Sequence, residues 1–237
     1  MEIVRIGAIT DVHHGPENDM RGYMRKFVHD MNNNFLPDLV VELGDFCDRG
    51  ELKNINDEFS KCKAPRYYVM GNHDVTEIGR AEFKKEVGID YDWTSVDIGF
   101  LHIIFLDGTW GESHAHIPRE ELEWLERDLE NIPETKLIIV FCHYPIRFYE
   151  NFGISGGLDN EDELMSIFDG YNLIATFGGH YPYYGGYAEV NGVYHIALCK
   201  MRASYAKITV TPTKLGVDEG DAGIYYHFNL NTKLSEI

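Results

Sequence analysis

Five short fragments rich in aspartate, asparagine and histidine punctuate this chain: Asp11-Val12-His13, Gly44-Asp45, Gly71-Asn72-His73-Asp74, Cys142-His143 and Gly178-Gly179-His180. Each follows an apolar run. Carboxylates, a carboxamide and imidazoles form a mixed oxygen and nitrogen donor set, which suits Mn, Fe or Zn better than Ca or Mg. Asp11 and His13 stand two apart on an extended segment, so both side chains can face one side and serve one ion. Asp45 follows Gly44, whose freedom lets the backbone turn close to an ion. Its two oxygens could bridge two ions roughly 3.5–4 Å apart, the spacing used for in-line displacement. Asn72, His143 and His180 would supply the second ion. Singly, each residue has a structural alternative: Asp11 or Asn72 capping a turn, or His143 as a satisfied histidine before Tyr144-Pro145. The ordered set of five favours ligation.

The elements that must position these residues are legible in outline. Residues 2–10, 38–43, 66–70, 136–142 and 172–178 are apolar, β-rich runs, each ending at one of the fragments. Helical stretches are expected at 20–35, 51–62, 77–87 and 161–168. Another opens at Pro118, where Leu122, Leu125 and Leu129 recur at three and four residues. A hairpin is expected around Asp97-Ile98-Gly99. In the last third, 186–190, 193–199, 205–211 and 223–230 read as antiparallel strands, with Asn191-Gly192 as a hairpin turn. Strands alternating with helices, then hairpins, predict packed sheets with helices outside. In open α/β sheets, ligands collect beyond the carboxyl ends of strands, where all the candidates fall.

The 237 residues, with 44% hydrophobic content, suit a single domain over 1–237 with a sizeable core. A net charge of −18 speaks against a nucleic-acid partner, because phosphate-backbone binders present Lys and Arg. No run approaches the ~18 apolar residues of a membrane span, and the start lacks the pattern of a signal peptide. No membrane partner and a cytoplasmic location are therefore expected. Cys47, Cys62, Cys142 and Cys199 show no CxxC spacing and are read as reduced, mostly buried thiols.

On the five fragments, from about residue 3 to 182, the chain resembles the calcineurin-like metallophosphoesterases. That resemblance implies a four-layer α/β/β/α sandwich of two mixed sheets flanked by helices, and a centre of two divalent or trivalent ions. The implied activity is hydrolysis of a small phosphate mono- or diester, by in-line attack of a hydroxide held between the ions. It assigns Asp11 and His13 to the first ion, Asp45 as bridge, and Asn72, His143 and His180 to the second, with His73 facing the substrate. The run Gly44-Asp45-Phe46-Cys47-Asp48-Arg49-Gly50 is similar to the extended motif of Ser/Thr protein phosphatases. By that analogy Asp48 would hydrogen-bond His73 and Arg49 would clamp phosphate; the plain alternative is a turn onto the following helix. The Gly71-Asn72-His73-Asp74 ending and the compact length fit the non-phosphatase branches better.

One departure stands out. The family's last motif is Gly-His-x-His, whereas this chain has Gly179-His180-Tyr181-Pro182, and proline cannot ligate. A water, Tyr181, Tyr183 or His14 are the alternatives for that position. A nuclease of the same superfamily, a degenerate non-catalytic metal-binding or interaction module, and a mononuclear enzyme using Asp11, His13 and Asp45 are the competing functions. His102 and His195 read as core or wall residues, and His114 and His116 as loop or capping residues.

Overall fold

The apolar runs become mostly buried strands, as expected where parallel strands are covered by helices. The computed structural model describes residues 2–48, 50–110, 115–147, 157–181, 185–202 and 204–230. Its first part alternates β1 (Val4–Ile9), α1 (Arg21–Asp30), β2 (Leu39–Glu42), α2 (Leu52–Phe59) and β3 (Arg66–Tyr68). A π-helical turn, Met31–Phe35, extends α1, and another, Asp74–Ile78, precedes α3 (Arg80–Val87). The hairpin β4 (Thr94–Ile98) and β5 (Leu101–Leu106) follows, then α4 (Arg119–Glu130), β6 (Leu137–Cys142), α5 (Glu161–Ile167) and β7 (Leu173–Gly178). Five strands complete the described chain: β8 (Gly186–Val190), β9 (Val193–Ala197), β10 (Ala206–Thr211), β11 (Lys214–Glu219) and β12 (Ile224–Asn229).

The strands form two six-stranded mixed sheets, ordered β12-β11-β10-β1-β2-β3 and β4-β5-β6-β7-β9-β8. In the first, β1, β2 and β3 are parallel; in the second, β5, β6, β7 and β9 are. Alternation along each strand splits the side chains between two layers. Ile103, Phe105, Ile139 and Phe141 enter the core between the sheets, while Ile104, Val140 and Cys142 pack outward with Leu122, Leu125 and Leu164 of α4 and α5. On the other side Ile9 and Val40 pack with Phe27 of α1, Phe59 of α2 and Phe83 of α3. The four-layer sandwich is thus a consequence of period-two burial on both sheets. Tyr67, Phe105, Phe141 and Phe177 stack in turn across the inner core, with centroids 4.5, 5.6 and 5.1 Å apart.

Two expectations shift. The helix expected at 20–35 ends its regular part at Asp30, and β11 was not anticipated. Lys214-Leu-Gly-Val-Asp-Glu219 holds a glycine and two acids, residues disfavoured in strands, yet antiparallel pairing on both sides holds it. All four cysteines are free and buried. Among the described residues no helix is long and apolar enough to cross a membrane.

Candidate metal centre

Parallel strands place all their carboxyl ends on one side. The ends of β1, β2 and β3 deliver Asp11, Asp45 and Asn72-His73; the ends of β6 and β7 deliver His143 and His180. Backbone hydrogen bonds tie these ends together. Asp11 N–H donates to Gly44 O (3.0 Å), His13 N–H to Asp45 O (2.9 Å) and Gly179 N–H to His143 O (2.8 Å). A side-chain bond spans the sheets, where His180 N–H donates to Asp11 Oδ2 at 2.9 Å.

Close approach demands glycine at the crossing points. A Cβ on Gly44 would run into the His143 ring, and one on Gly71 into the Asp45 carboxylate. The ligand candidates are themselves strained. Seven non-glycine residues among those described have positive φ, and four are Asp11 (+49°), His13 (+44°), Asp45 (+56°) and His180 (+64°). Such conformations cost of order 1–3 kcal/mol each and persist where the surroundings dictate them.

The donor atoms form two groups that share Asp45. His13 Nε2 lies 3.6 Å from Asp45 Oδ2 and 3.9 Å from Asp11 Oδ1. His143 Nε2 lies 3.4 Å from the same Asp45 Oδ2. Asn72 Oδ1 is 3.3 Å from His143 Nε2 and 3.0 Å from His180 Nδ1. Ligands about 2.1 Å from a tetrahedral ion stand roughly 3.4 Å apart, so the 3.4–3.9 Å spacings around Asp45 fit a shared ion, while Asn72 Oδ1 is within hydrogen-bond distance of both imidazoles. Asp11 Oδ1 is buried without a hydrogen-bond partner, which a polar group normally avoids. Its other oxygen is occupied, accepting from Thr10 Oγ1 at 2.7 Å. Orphaned oxygen, donor chemistry and spacing together fit a pair of ions.

Charge is distributed accordingly. Burial alone would raise Asp45, but His143 outweighs it and holds the carboxyl below its usual range. Burial likewise opposes charge on His143, yet Asp45 lifts it to about 9. His180 falls to about 4, from burial and from the neighbouring His143. Asp11 is raised, chiefly by burial. His143 Nδ1 faces Leu43 O at 2.9 Å; with that nitrogen as donor, Nε2 is the one presented to the site.

Asp74 was part of a motif but its task was not foreseen. Fully buried, its carboxylate accepts N–H bonds from Asp45 (2.8 Å), Phe46 (3.0 Å) and Gly71 (2.8 Å), locking two ligand loops together. Burial, then the Asp45 charge, raises it to about 7. His73 N–H donates to Asp45 Oδ1 at 2.9 Å. The expected Asp48–His73 bond is not formed: Asp48 Oδ1 lies 4.0 Å from His73 Nδ1 and 3.2 Å from His13 Nδ1. Glu77 Oε1 instead meets His73 Nδ1 at 2.9 Å, and its spacing four residues beyond His73 was a signal the sequence offered. Tyr144 was also missed; its ring centroid lies 4.5 Å from that of His180.

Of the remaining candidates, Arg49, His114, Pro182 and Tyr183 lie outside the described residues. Tyr181 sits 6.2 Å from His180, ring to ring. His14 Nδ1 accepts Met20 N–H at 3.1 Å. His195 is a wall residue against Thr176, while His116 pairs with Asp159 at the surface.

Residues 4–184 match the family model described as calcineurin-like phosphoesterase. A probable glycerophosphodiester phosphodiesterase GpdQ of Arcobacter nitrofigilis is 30% identical over 158 residues, 61% of this chain and 56% of that protein. The 3',5'-cyclic adenosine monophosphate phosphodiesterase CpdA of Escherichia coli is 26% identical over 141 residues, 55% of this chain and 48% of that one. The chain thus spans about half the length of these curated relatives. In fold it is similar to a dimetal phosphatase from Danio rerio, with a TM-score of 0.80 at 14% identity over 96% of this chain and 99% of that one. A second likeness, to GAP50, the anchor in the inner membrane complex of Plasmodium, has a TM-score of 0.65 at 15% identity, over 98% and 90%.

Proposed function

The chain belongs to the calcineurin-like phosphoesterase family, and from that premise we propose that it hydrolyses a small phosphate ester with two bound metal ions. A diester is the favoured substrate, since both curated relatives are named as phosphodiesterases. The observation carrying the reading is Asp45 Oδ2, which faces His13 Nε2 on one side and His143 Nε2 on the other. Asp11, His13 and Asp45 would hold one ion; Asp45, Asn72, His143 and His180 the other. The donor set suits Mn, Fe or Zn. When bound, such ions supply positive charge to phosphoryl oxygens and acidify water.

The chain's own groups supply the other parts. His143 must give up its proton to act as a ligand, so loading the site releases protons to solvent. His73, held at Nδ1–H by Glu77, can in its imidazolium form donate the Nε2 proton to the leaving alkoxide as the P–O bond breaks, leaving the neutral Nδ1–H imidazole. Arg49, beside Asp48 in sequence, is the proposed bidentate clamp for phosphate oxygens. Because ligands come from both sheets, a single domain belongs to the proposal.

The test loads purified, chelator-stripped protein with Mn, Zn or Fe, counts ions per chain, and measures turnover of bis(p-nitrophenyl) phosphate and p-nitrophenyl phosphate. Two ions per chain with faster diester turnover is expected. Ions without hydrolysis of either ester would instead support the degenerate binding module, whose motivation is Pro182 in place of a ligand. Neither ions nor hydrolysis would refute the proposal.

A further inference from the structure

Resting on that reading, we infer that two carboxylates divide the positioning work: Asp48 orients His13 as an ion ligand, and Glu77 orients the acid His73. The two rings are neighbours, 4.8 Å between centroids and nearly perpendicular, so one carboxylate could in principle have served both. It does not. Asp48 Oδ1 is at hydrogen-bond distance from His13 Nδ1 (3.2 Å) and out of reach of His73 Nδ1 (4.0 Å). Glu77 Oε1 closes on His73 Nδ1 at 2.9 Å.

Each carboxylate is built into its place. Asp48 N–H donates to His14 O at 2.8 Å, and His14 bridges Cys47, so Asp48 runs alongside the His13 segment. Gly15 permits this: a Cβ there would press on Asp48 Cβ at 3.2 Å. Glu77 lies in the π-helical turn that follows His73, and Thr76 Oγ1 pins that turn to Asn72 O at 2.8 Å.

The consequence for His13 is a fixed tautomer. With Nδ1–H given to Asp48, the Nε2 lone pair faces Asp11 and Asp45. The Leu43 carbonyl holds His143 by the same nitrogen. A carboxylate behind a ligating imidazole strengthens it as a donor. That matters most at the first site, where the chain offers Asp11, His13 and Asp45 and has Pro182 where a further histidine would stand. Asp48 is thereby committed to ion binding, and the orientation of His73 passes to Glu77.

The test uses the full chain with Asp48→Ala, Asp48→Asn, Glu77→Ala and Glu77→Gln. Mn affinity is read by calorimetry, kcat and KM by bis(p-nitrophenyl) phosphate turnover, and histidine tautomers by ¹⁵N NMR without added metal. Asp48→Ala should weaken one Mn site by roughly 10–100-fold, with Asp48→Asn intermediate. Glu77→Ala should leave both Mn affinities within about twofold, lower kcat by roughly 10²-fold at unchanged KM, and remove the hydrogen-bonded Nδ1–H signal of His73. Glu77→Gln, which keeps an acceptor oxygen, should restore most of kcat. Unchanged Mn affinity in Asp48→Ala, or an undisturbed His73 Nδ1–H signal in Glu77→Ala, would overturn the inference. Wild-type protein that binds Mn without turnover defeats the phosphoesterase reading alone, because affinity and tautomer still decide this one.

Discussion

The second sheet carries a cluster of histidine and carboxylates around a buried imidazole at each end, and the two are built on opposite principles. At the amino end of β5, His102 bonds Asp97 at 2.9 Å and Asp128 at 2.8 Å, using both ring nitrogens. Asp128 also accepts from Ser95 (3.0 Å), and Lys136 stands 3.3 Å from Asp97. Every polar group there has a partner on an ordinary backbone. Beyond β6, His143, His13, Asp45 and Asp11 stand 3.4–3.9 Å apart, one carboxylate oxygen is orphaned, and the backbone is left-handed at three of the four residues. A cluster that satisfies itself is a clamp. One that holds donors apart under strain is arranged for something other than protein.

This contrast can be broken in graded ways. The largest effect is expected from Asp45→Ala, which touches both donor groups: phosphodiester turnover should fall on the order of 10³-fold, about 4 kcal/mol, and bound ions should drop below two per chain. Metal analysis beside the rate assay checks it; unchanged ion content would dissolve the contrast. Next, Asp74→Ala strands three buried N–H groups and should cost about 3 kcal/mol in urea unfolding, with weaker Mn binding. Third, Mn at about 100 times its dissociation constant should add ~2.7 kcal/mol to the wild type, raising Tm by roughly 5–10 °C, an increase chelator reverses and Asp45→Ala lacks.

The smallest effect sharpens the other side. His102→Gln should cost on the order of 1–2 kcal/mol and leave Mn affinity intact. Burial opposes charge on His102, but its bonds to Asp128 and Asp97 win, so its folded pKa is raised. Its contribution is therefore complete below the unfolded value of about 6.5 and lost as pH rises through the folded value. Urea midpoints across that range should fall with pH more steeply in the wild type than in His102→Gln.

These clusters also mark how far the chain could be read before folding. Asp11, Asp45, Asn72, His143 and His180 were legible because each ends an apolar run, and parallel strands bring run ends together. His102 reads only as a core or wall residue, since its partners Asp97 and Asp128 come from the facing strand and a distant helix, a pairing set by register. Which imidazole Asp48 meets was illegible for a similar reason: a 0.8 Å difference between two neighbouring rings is a matter of local backbone. Glu77 was within reach, four residues after His73. β11 escaped because its sequence is poor in strand formers and its pairing partners are not.

Anomalous scattering from crystals soaked in Mn tests the central claim most directly. Two peaks are predicted, one among Asp11, His13 and Asp45 and one among Asp45, Asn72, His143 and His180, roughly 3.5–4 Å apart. Mn density confined to the surface, with these side chains undisturbed, would contradict it.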